Sequence, residues 1–303
     1  MHITIRVPAT SANLGPGFDC LGLALDLWNE TIITLAIEFS VQVHGEGMEK
    51  LSLGRNNLII QSAQKLAECV GKLLPPFHVN SGNQIPLSSG LGSSAAAKLT
   101  GLLAANSLLG KPLSNGEILN LAAEMEGHPD NAAPALLGGL VVSILEEGKV
   151  FAQRIRMDEG QDSPICITVV LPEIHLSTRE ARGALPQEIS LKDAVHNISP
   201  TVLVTEAFRN GDVDLLGKAM TDTLHQPHRL PLIPGAETAI SAAKEAGAAA
   251  AALSGAGPSV IAFSSKRDPA IGEAMKRAFE ERGIQARIFQ LKMSNHGAEV
   301  KIR

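Results

Sequence analysis

The chain has 303 residues, 45% of them apolar, with a formal charge of −5 and a pI near 6.0, so it can bury a large core and is long enough for two domains. It has no tyrosine, one tryptophan and no general basic field, which points away from nucleic acid and anionic membranes as main partners and requires any anion to be held locally. Cys20, Cys69 and Cys166 lie far apart without a C-x-x-C pair, so neither a disulfide framework nor a thiolate zinc site is expected.

From the N-terminus, residues 3–7 alternate like a strand and lack the basic start and apolar stretch of a signal peptide, which makes a cytoplasmic location the expectation. Residues 8–19 read P-A-T-S-A-N-L-G-P-G-F-D, a shaped loop rich in turn residues. Asn13 and Asp19 there either satisfy their own backbone or meet a small polar ligand at a rigid edge. Residues 26–39 alternate as a second strand. Residues 57–70 carry Leu58, Ile59, Ala63, Leu66, Ala67 and Val70 at helical spacing, with Asn56 and Asn57 where a cap belongs.

Residues 86–97 read P-L-S-S-G-L-G-S-S-A-A-A just before an alanine-rich helical pattern. Gly90 and Gly92 can adopt positive φ and let backbone approach an anion, toward which the following helix aims its unpaired N–H groups. Ser93 and Ser94 add hydroxyls within reach of a magnesium ion on a polyphosphate. A tight turn with a serine cap is the plainer reading. A dinucleotide site also fits G-x-G-x-x-A but lacks the strand before it and the acidic residue after it. A Walker A loop is excluded, because no Gly-Lys-Ser/Thr follows the glycines and Lys98 comes too late.

A helix continues to Gly110, and another starts at the capping box Ser114 to Glu117 and runs to Glu126. Residues 126–139 read E-G-H-P-D-N-A-A-P-A-L-L-G-G. Glu126, His128, Asp130 and Asn131 there form either a solvated turn or a reactive cluster, since Mg2+ at a nucleotide needs only one or two protein oxygens. Residues 140–145 read as a strand, and the acidic stretches at 146–149 and 157–163 place the domain boundary, giving domains at 1–155 and 156–303. A buried strand at 165–171 opens the second domain, followed by T-R-E-A-R at 178–182, where Arg182 is either a surface charge or a carboxylate fork. Helices are expected at 190–210 and 213–224. His225 and His228 do not make a zinc site, because Pro227 interrupts them and no further ligand is near. A helix at 235–247, strands at 248–253 and 259–264 around S-G-A-G-P, a helix at 269–282 and a strand at 285–291 complete the chain. The apolar stretch 246–263 is broken by Ser254, Gly255, Gly257 and Pro258, so it is no membrane span.

The spelling P-x-x-x-G-L-G-S-S-A-A resembles the ATP-binding loop of the galactokinase, homoserine kinase, mevalonate kinase and phosphomevalonate kinase superfamily. P-A-T-S-A-N-L-G-P-G-F-D, E-G-H-P-D-N-x-A-P-A-L-x-G-G, S-T-x-x-x-R and H-x-P-x-R narrow the resemblance to its homoserine kinase members. That resemblance implies an α+β fold of two domains, the first like ribosomal protein S5 domain 2 and the second ferredoxin-like, with the active site between them. It implies ATP and Mg2+ as cofactors, L-homoserine as substrate, O-phospho-L-homoserine on the route to threonine as product, and a homodimer.

Residue by residue, the resemblance puts Pro86, Leu87, Ser88, Ser89, Gly90, Leu91, Gly92, Ser93, Ser94, Ala95 and Ala96 around the phosphates and Asn57 near the base. It gives Mg2+ to Ser94 and Glu126. Asn13, Asp19, His128, Asn131, Thr178, Arg182, Arg229 and Gly255 are assigned to the substrate. Arg182 and Arg229 would take its carboxylate, Asp19 its ammonium, and Asn13 or Asn131 its hydroxyl. Ser94, Glu126 and Asn131 form the expected catalytic set. Asp130 stays outside it, because these kinases are usually discussed as lacking a catalytic base. Opposite charges at opposite ends of one pocket would favour a zwitterion. Two alternatives are a kinase for another small alcohol and a silent ligand sensor, the latter disfavoured by Glu126, the loop serines and both arginines.

Overall fold

The computed structural model describes residues 2–156 and 165–303; the stretch at 157–163 used to place the domain boundary lies outside them. The chain opens on a long hairpin of β1 (His2–Ala12) and β2 (Leu21–Leu35), where Ile3, Ile5 and Val7 are fully buried. β1 continues past residue 7 through a register shift at Pro8/Ala9, with residues 7–12 all buried, so the strand carries the chain directly to the polar loop at 13–19. β3 (Ser40–Gly45) and β4 (Phe77–Asn83) extend the sheet on one side. α1 (Leu58–Cys69) lies between them in sequence and starts at Asn57, whose side chain accepts from the Ile59 N–H as the cap pattern requires.

α2 (Ser93–Leu108), α3 (Asn115–Glu126) and α4 (Ala132–Leu137) follow, and the Ser114 to Glu117 capping box is formed as expected. β5 (Leu140–Glu146) pairs with β2 and with β6 (Lys149–Arg154). The second domain is a four-stranded antiparallel sheet built from β7 (Cys166–Pro172), β8 (Ala250–Leu253), β9 (Val260–Ser264) and β10 (Ala286–Leu291) in the order β10-β7-β9-β8. This order, with helices between β7 and β8 and between β9 and β10, is the ferredoxin-like arrangement. Its helices are α5 (Thr178–Gly183), α6 (Leu191–Asn210), α7 (Val213–Ala219), α8 (Gln226–Arg229), α9 (Ala236–Glu245) and α10 (Pro269–Glu280).

Several segments differ from the sequence pattern, among them β2, which spans 21–35 where the pattern predicts 26–39, and β3, β4 and β6, which it does not predict. α7 ends at Ala219, short of the expected 224, because the Asp222 carboxylate accepts from the N–H groups of Leu224 at 2.9 Å and Gln226 at 2.6 Å and so caps the next short helix. A last strand, β11 (Glu299–Ile302), returns to the first domain and pairs with β1. The two domains also meet through polar contacts: Gly255 N donates to Ala12 O at 3.1 Å, and the Ser254 hydroxyl donates to Gly90 O at 2.8 Å. No helix among the described residues is long and apolar enough to cross a membrane.

Candidate active site

The loop at 86–92 enters α2 through Gly92, its N-terminal cap residue, at φ 72°. A Cβ on Gly92 would lie 2.1 Å from the Thr10 hydroxyl, and one on Gly90, at φ 76°, would lie 2.2 Å from Ser254 O. Only glycine fits either position. The Ser89 hydroxyl donates to Pro86 O at 2.7 Å and accepts from Leu91 N at 3.2 Å, which fixes the loop. The first intrahelical bond at this end is made by Ala96 N, leaving the N–H groups of Ser93, Ser94 and Ala95 at the mouth of a cleft. Free N–H groups and the positive dipole end make this mouth a seat for an anion.

The cleft has a volume of about 230 Å3 and gathers Ser88, Ser89, Gly90, Gly92, Ser93, Ser94 and Ala95 with Asn13, Asp19, Glu126, His128, Asn131, Thr178, Arg182, Arg229 and Gly255. Leu91 and Ala96 are fully buried and back the loop instead. Pro86 lines a separate groove on the other side of the loop. Leu87 and Asn57 line an apolar slot of about 270 Å3 beside it, walled by Val43, Leu51, Leu58 and Ile59, which suits a planar base. Both ends of the Asn57 amide are used within the protein, on Ile59 N at 3.0 Å and Ser52 O at 2.7 Å.

On one wall, Ser94 Oγ donates to Glu126 Oε1 at 2.7 Å. The Lys98 ammonium lies 2.6 Å from the same oxygen and 2.8 Å from Met125 O, and both charged side chains are only 11% exposed. Lys98 comes too late for a Walker loop and is not among the residues the sequence singles out. Its signal was its place four residues after Ser94, on the same helical face. A hydroxyl and a carboxylate oxygen side by side are the donors Mg2+ takes from a protein at a nucleotide.

The opposite wall is charged. Arg182 donates to both oxygens of Asp19, Nη1 at 3.0 Å and Nη2 at 2.6 Å. The expected anion and cation therefore stand face to face and not at opposite ends of the pocket, because α5 delivers Arg182 directly onto the loop at 13–19. Asn13, at φ 70°, accepts from Asp19 N at 3.0 Å and donates to Gly255 O at 2.8 Å. Arg229 is 2% exposed and points Nη1 at Gly255 O, 3.3 Å away, and at His225 Nδ1, 3.2 Å away. Burial first, then the charge of Arg182, lowers the pKa of Arg229 below the usual arginine value. Phe18, not singled out from the sequence, lies under both guanidinium groups at 5.6 and 5.1 Å and stacks on His225 at 5.3 Å.

His128 Nδ1 is hydrogen-bonded to Asp130 Oδ1. Burial works against the imidazolium, but the Asp130 carboxylate prevails and the His128 pKa is raised. Asn131 Oδ1 accepts from the Thr10 hydroxyl at 2.8 Å. Thr178 opens α5 next to Ser177, whose capping box with Glu180 sets the helix start. The buried His225 bonds Gly15 O at 2.8 Å through Nε2, so it holds the loop at 13–19 in place.

Residues 57–139 match the family described as GHMP kinases N terminal domain, and residues 204–283 match GHMP kinases C terminal. A homoserine kinase of Moorella thermoacetica is 45% identical over 98% of this chain and 99% of its own length. A homoserine kinase of Carboxydothermus hydrogenoformans is 41% identical over 98% of this chain and 96% of its own. Among solved structures, the homoserine kinase of Cytophaga hutchinsonii superposes with a TM-score of 0.85 at 30% identity, covering 99% of this chain and 97% of that one. The L. major mevalonate kinase, at 17% identity and a TM-score of 0.71 over 96% of both chains, shares the fold. With identities of 45% and 41% over nearly the whole chain and a shared two-domain α+β frame, the chain belongs to the homoserine kinases of the GHMP kinase family.

Proposed function

We propose that the protein transfers the γ-phosphoryl group of ATP to the side-chain hydroxyl of L-homoserine, giving ADP and O-phospho-L-homoserine, a step toward threonine. The observation that carries this reading is the Asp19 and Arg182 pair beside the buried Arg229, in the same cleft as the anion seat. An α-amino acid bears its ammonium and carboxylate on one carbon, so adjacent opposite charges suit it better than separated ones. On entry, Asp19 would turn from Arg182 to the ammonium, while Arg182 and Arg229 take the carboxylate.

The backbone of the loop at 88–95 holds the phosphates, and the slot beside Asn57 takes the base. Ser94 and Glu126 would hold Mg2+, which when bound offsets charge on the phosphates. Asn131 or Asn13 aligns the hydroxyl. Asp130 is already bonded to His128, and positioning with charge stabilisation drives phosphoryl transfer without a strong base. We also propose a division into domains 1–155 and 156–303, with β11 returned to the first, a homodimer, and a cytoplasmic location. The test is ADP release on mixing the protein with Mg2+, ATP and L-homoserine, with mevalonate and galactose in parallel. Release with homoserine alone is expected. Turnover of mevalonate or galactose in its place, or no release with any of them, overturns the reading.

A further inference from the structure

α6 presents two opposite faces to its surroundings. On the inner face, Asn197 Nδ2 and Thr201 Oγ1 both donate to Pro16 O at 3.0 Å, and Val204, Ala207 and Phe208 are buried. On the outer face, Leu191 is 81% exposed, Val195 55%, Ile198 64% and Val202 64%. At 100° per residue these four positions fall within one narrow stripe. A surface helix of a monomer carries polar residues there.

The stripe is large for a free surface. With the flanking Ile189 at 50% and Leu203 at 43% exposed, it offers about 500 Å2 of apolar area, near the upper end for a monomer and a major part of the ~800 Å2 that each partner of a standard interface buries. Residues 157–164 read M-D-E-G-Q-D-S-P and contain no apolar run to cover it. Its borders carry Lys192, Ser199 and the ion pair of Glu206 with Arg209, so no single-sign field repels a neighbour.

The area and the mixed charge of its borders suit a second copy of the same helix. The four positions are separated by four, three and four residues, so two such stripes packed antiparallel about a two-fold axis set each position against another and the patch complements itself. We propose that α6 is the dimer interface of this protein, packed antiparallel against α6 of a second copy. The pairing sets Leu191 across from the partner's Val202, and Val195 across from the partner's Ile198. This inference rests on the homodimer reading above and adds its location. It also places the interface directly behind the loop that carries Asp19, since the inner face of the same helix holds Pro16.

Sedimentation velocity at micromolar concentrations on the full chain, on Ile198→Glu, on Val202→Lys and on Leu73→Glu tests it. Leu73 is 97% exposed and lies outside α6, so its variant controls for loss of surface apolarity alone. The wild type and Leu73→Glu should sediment at twice the 31.8 kDa chain mass, and both α6 variants at the monomer mass with an unchanged circular dichroism spectrum. All three changes fall on largely exposed side chains and remove no buried contact. A monomeric wild type defeats the homodimer reading itself. A dimer that survives both α6 changes, or one that Leu73→Glu also dissociates, defeats the assignment to α6 alone.

Discussion

The two walls of the cleft are built on different principles. The wall proposed for the phosphates rests on backbone: Gly90 and Gly92 at positive φ, the N–H groups at the mouth of α2, and the Ser89 turn that locks the loop, with the Ser94, Glu126 and Lys98 side chains beside them. The wall proposed for the substrate is side chain: Asp19 is paired with Arg182 and His128 with Asp130, while the buried Arg229 points at Gly255 O and His225. The first is complete before any guest arrives. In the proposed reading, the second exchanges partners to admit one. A backbone site is therefore damaged by adding atoms, and a charged site by removing them.

Glu126 is the residue whose loss should be felt most, because it is the carboxylate of the phosphate wall. Glu126→Gln is expected to lower kcat by about 100- to 1000-fold, as for loss of a preorganised charge-stabilising group, with the melting temperature little changed. Steady-state kinetics alongside thermal melts check this. If kcat falls less than tenfold, Glu126 belongs to the frame and not to the chemistry.

Gly90→Ala sharpens the contrast from the other side, since a single methyl group would meet Ser254 O at 2.2 Å in a left-handed conformation. A destabilisation of about 2–4 kcal/mol is expected from overpacking and backbone strain together, read by urea unfolding, together with weaker ATP binding by calorimetry. Lys98→Met should weaken ATP binding in the absence of Mg2+ by roughly tenfold, while Lys98→Arg restores most of it. That pair of titrations separates a charge role from a packing role.

The smallest effect lies in the His128 and Asp130 pair. A raised folded pKa means that folded protein holds this proton more tightly than unfolded chain. The stability it contributes is full below the ordinary histidine value of about 6.5 and is lost as pH rises through the raised value. His128→Asn should therefore flatten the decline of melting temperature between pH 6 and 8. A decline equal to that of the wild type would place its cause elsewhere.

What the sequence made legible follows the same division. Local devices could be read directly: the capping box at Ser114, the Asn57 cap, the glycine loop and the start of α2 all depend on neighbours a few residues away. β3 and β4 escaped because each offers only two alternating apolar residues, Val41 and Val43 in one and Phe77 and Val79 in the other, and β11 because four residues carry too little pattern. α7 was overextended because nothing in its periodicity announces that Asp222 captures the next backbone N–H groups. The contacts of the charged wall span long separations. Asp19 and Arg182 are 163 residues apart, and Lys98 meets Glu126 only because α2 and α3 pack side by side. Residue types in such a site are visible in a sequence, but their pairing is a property of the fold.

The exchange at Asp19 and Arg182 is tested most directly by the kinetics of Arg182→Leu with each substrate varied in turn. Losing charge-assisted bonds to a carboxylate should raise KM for L-homoserine by about 10- to 100-fold, with KM for ATP nearly unchanged. An equal rise for both substrates, or none for L-homoserine, would show that the amino acid does not enter by displacing this ion pair.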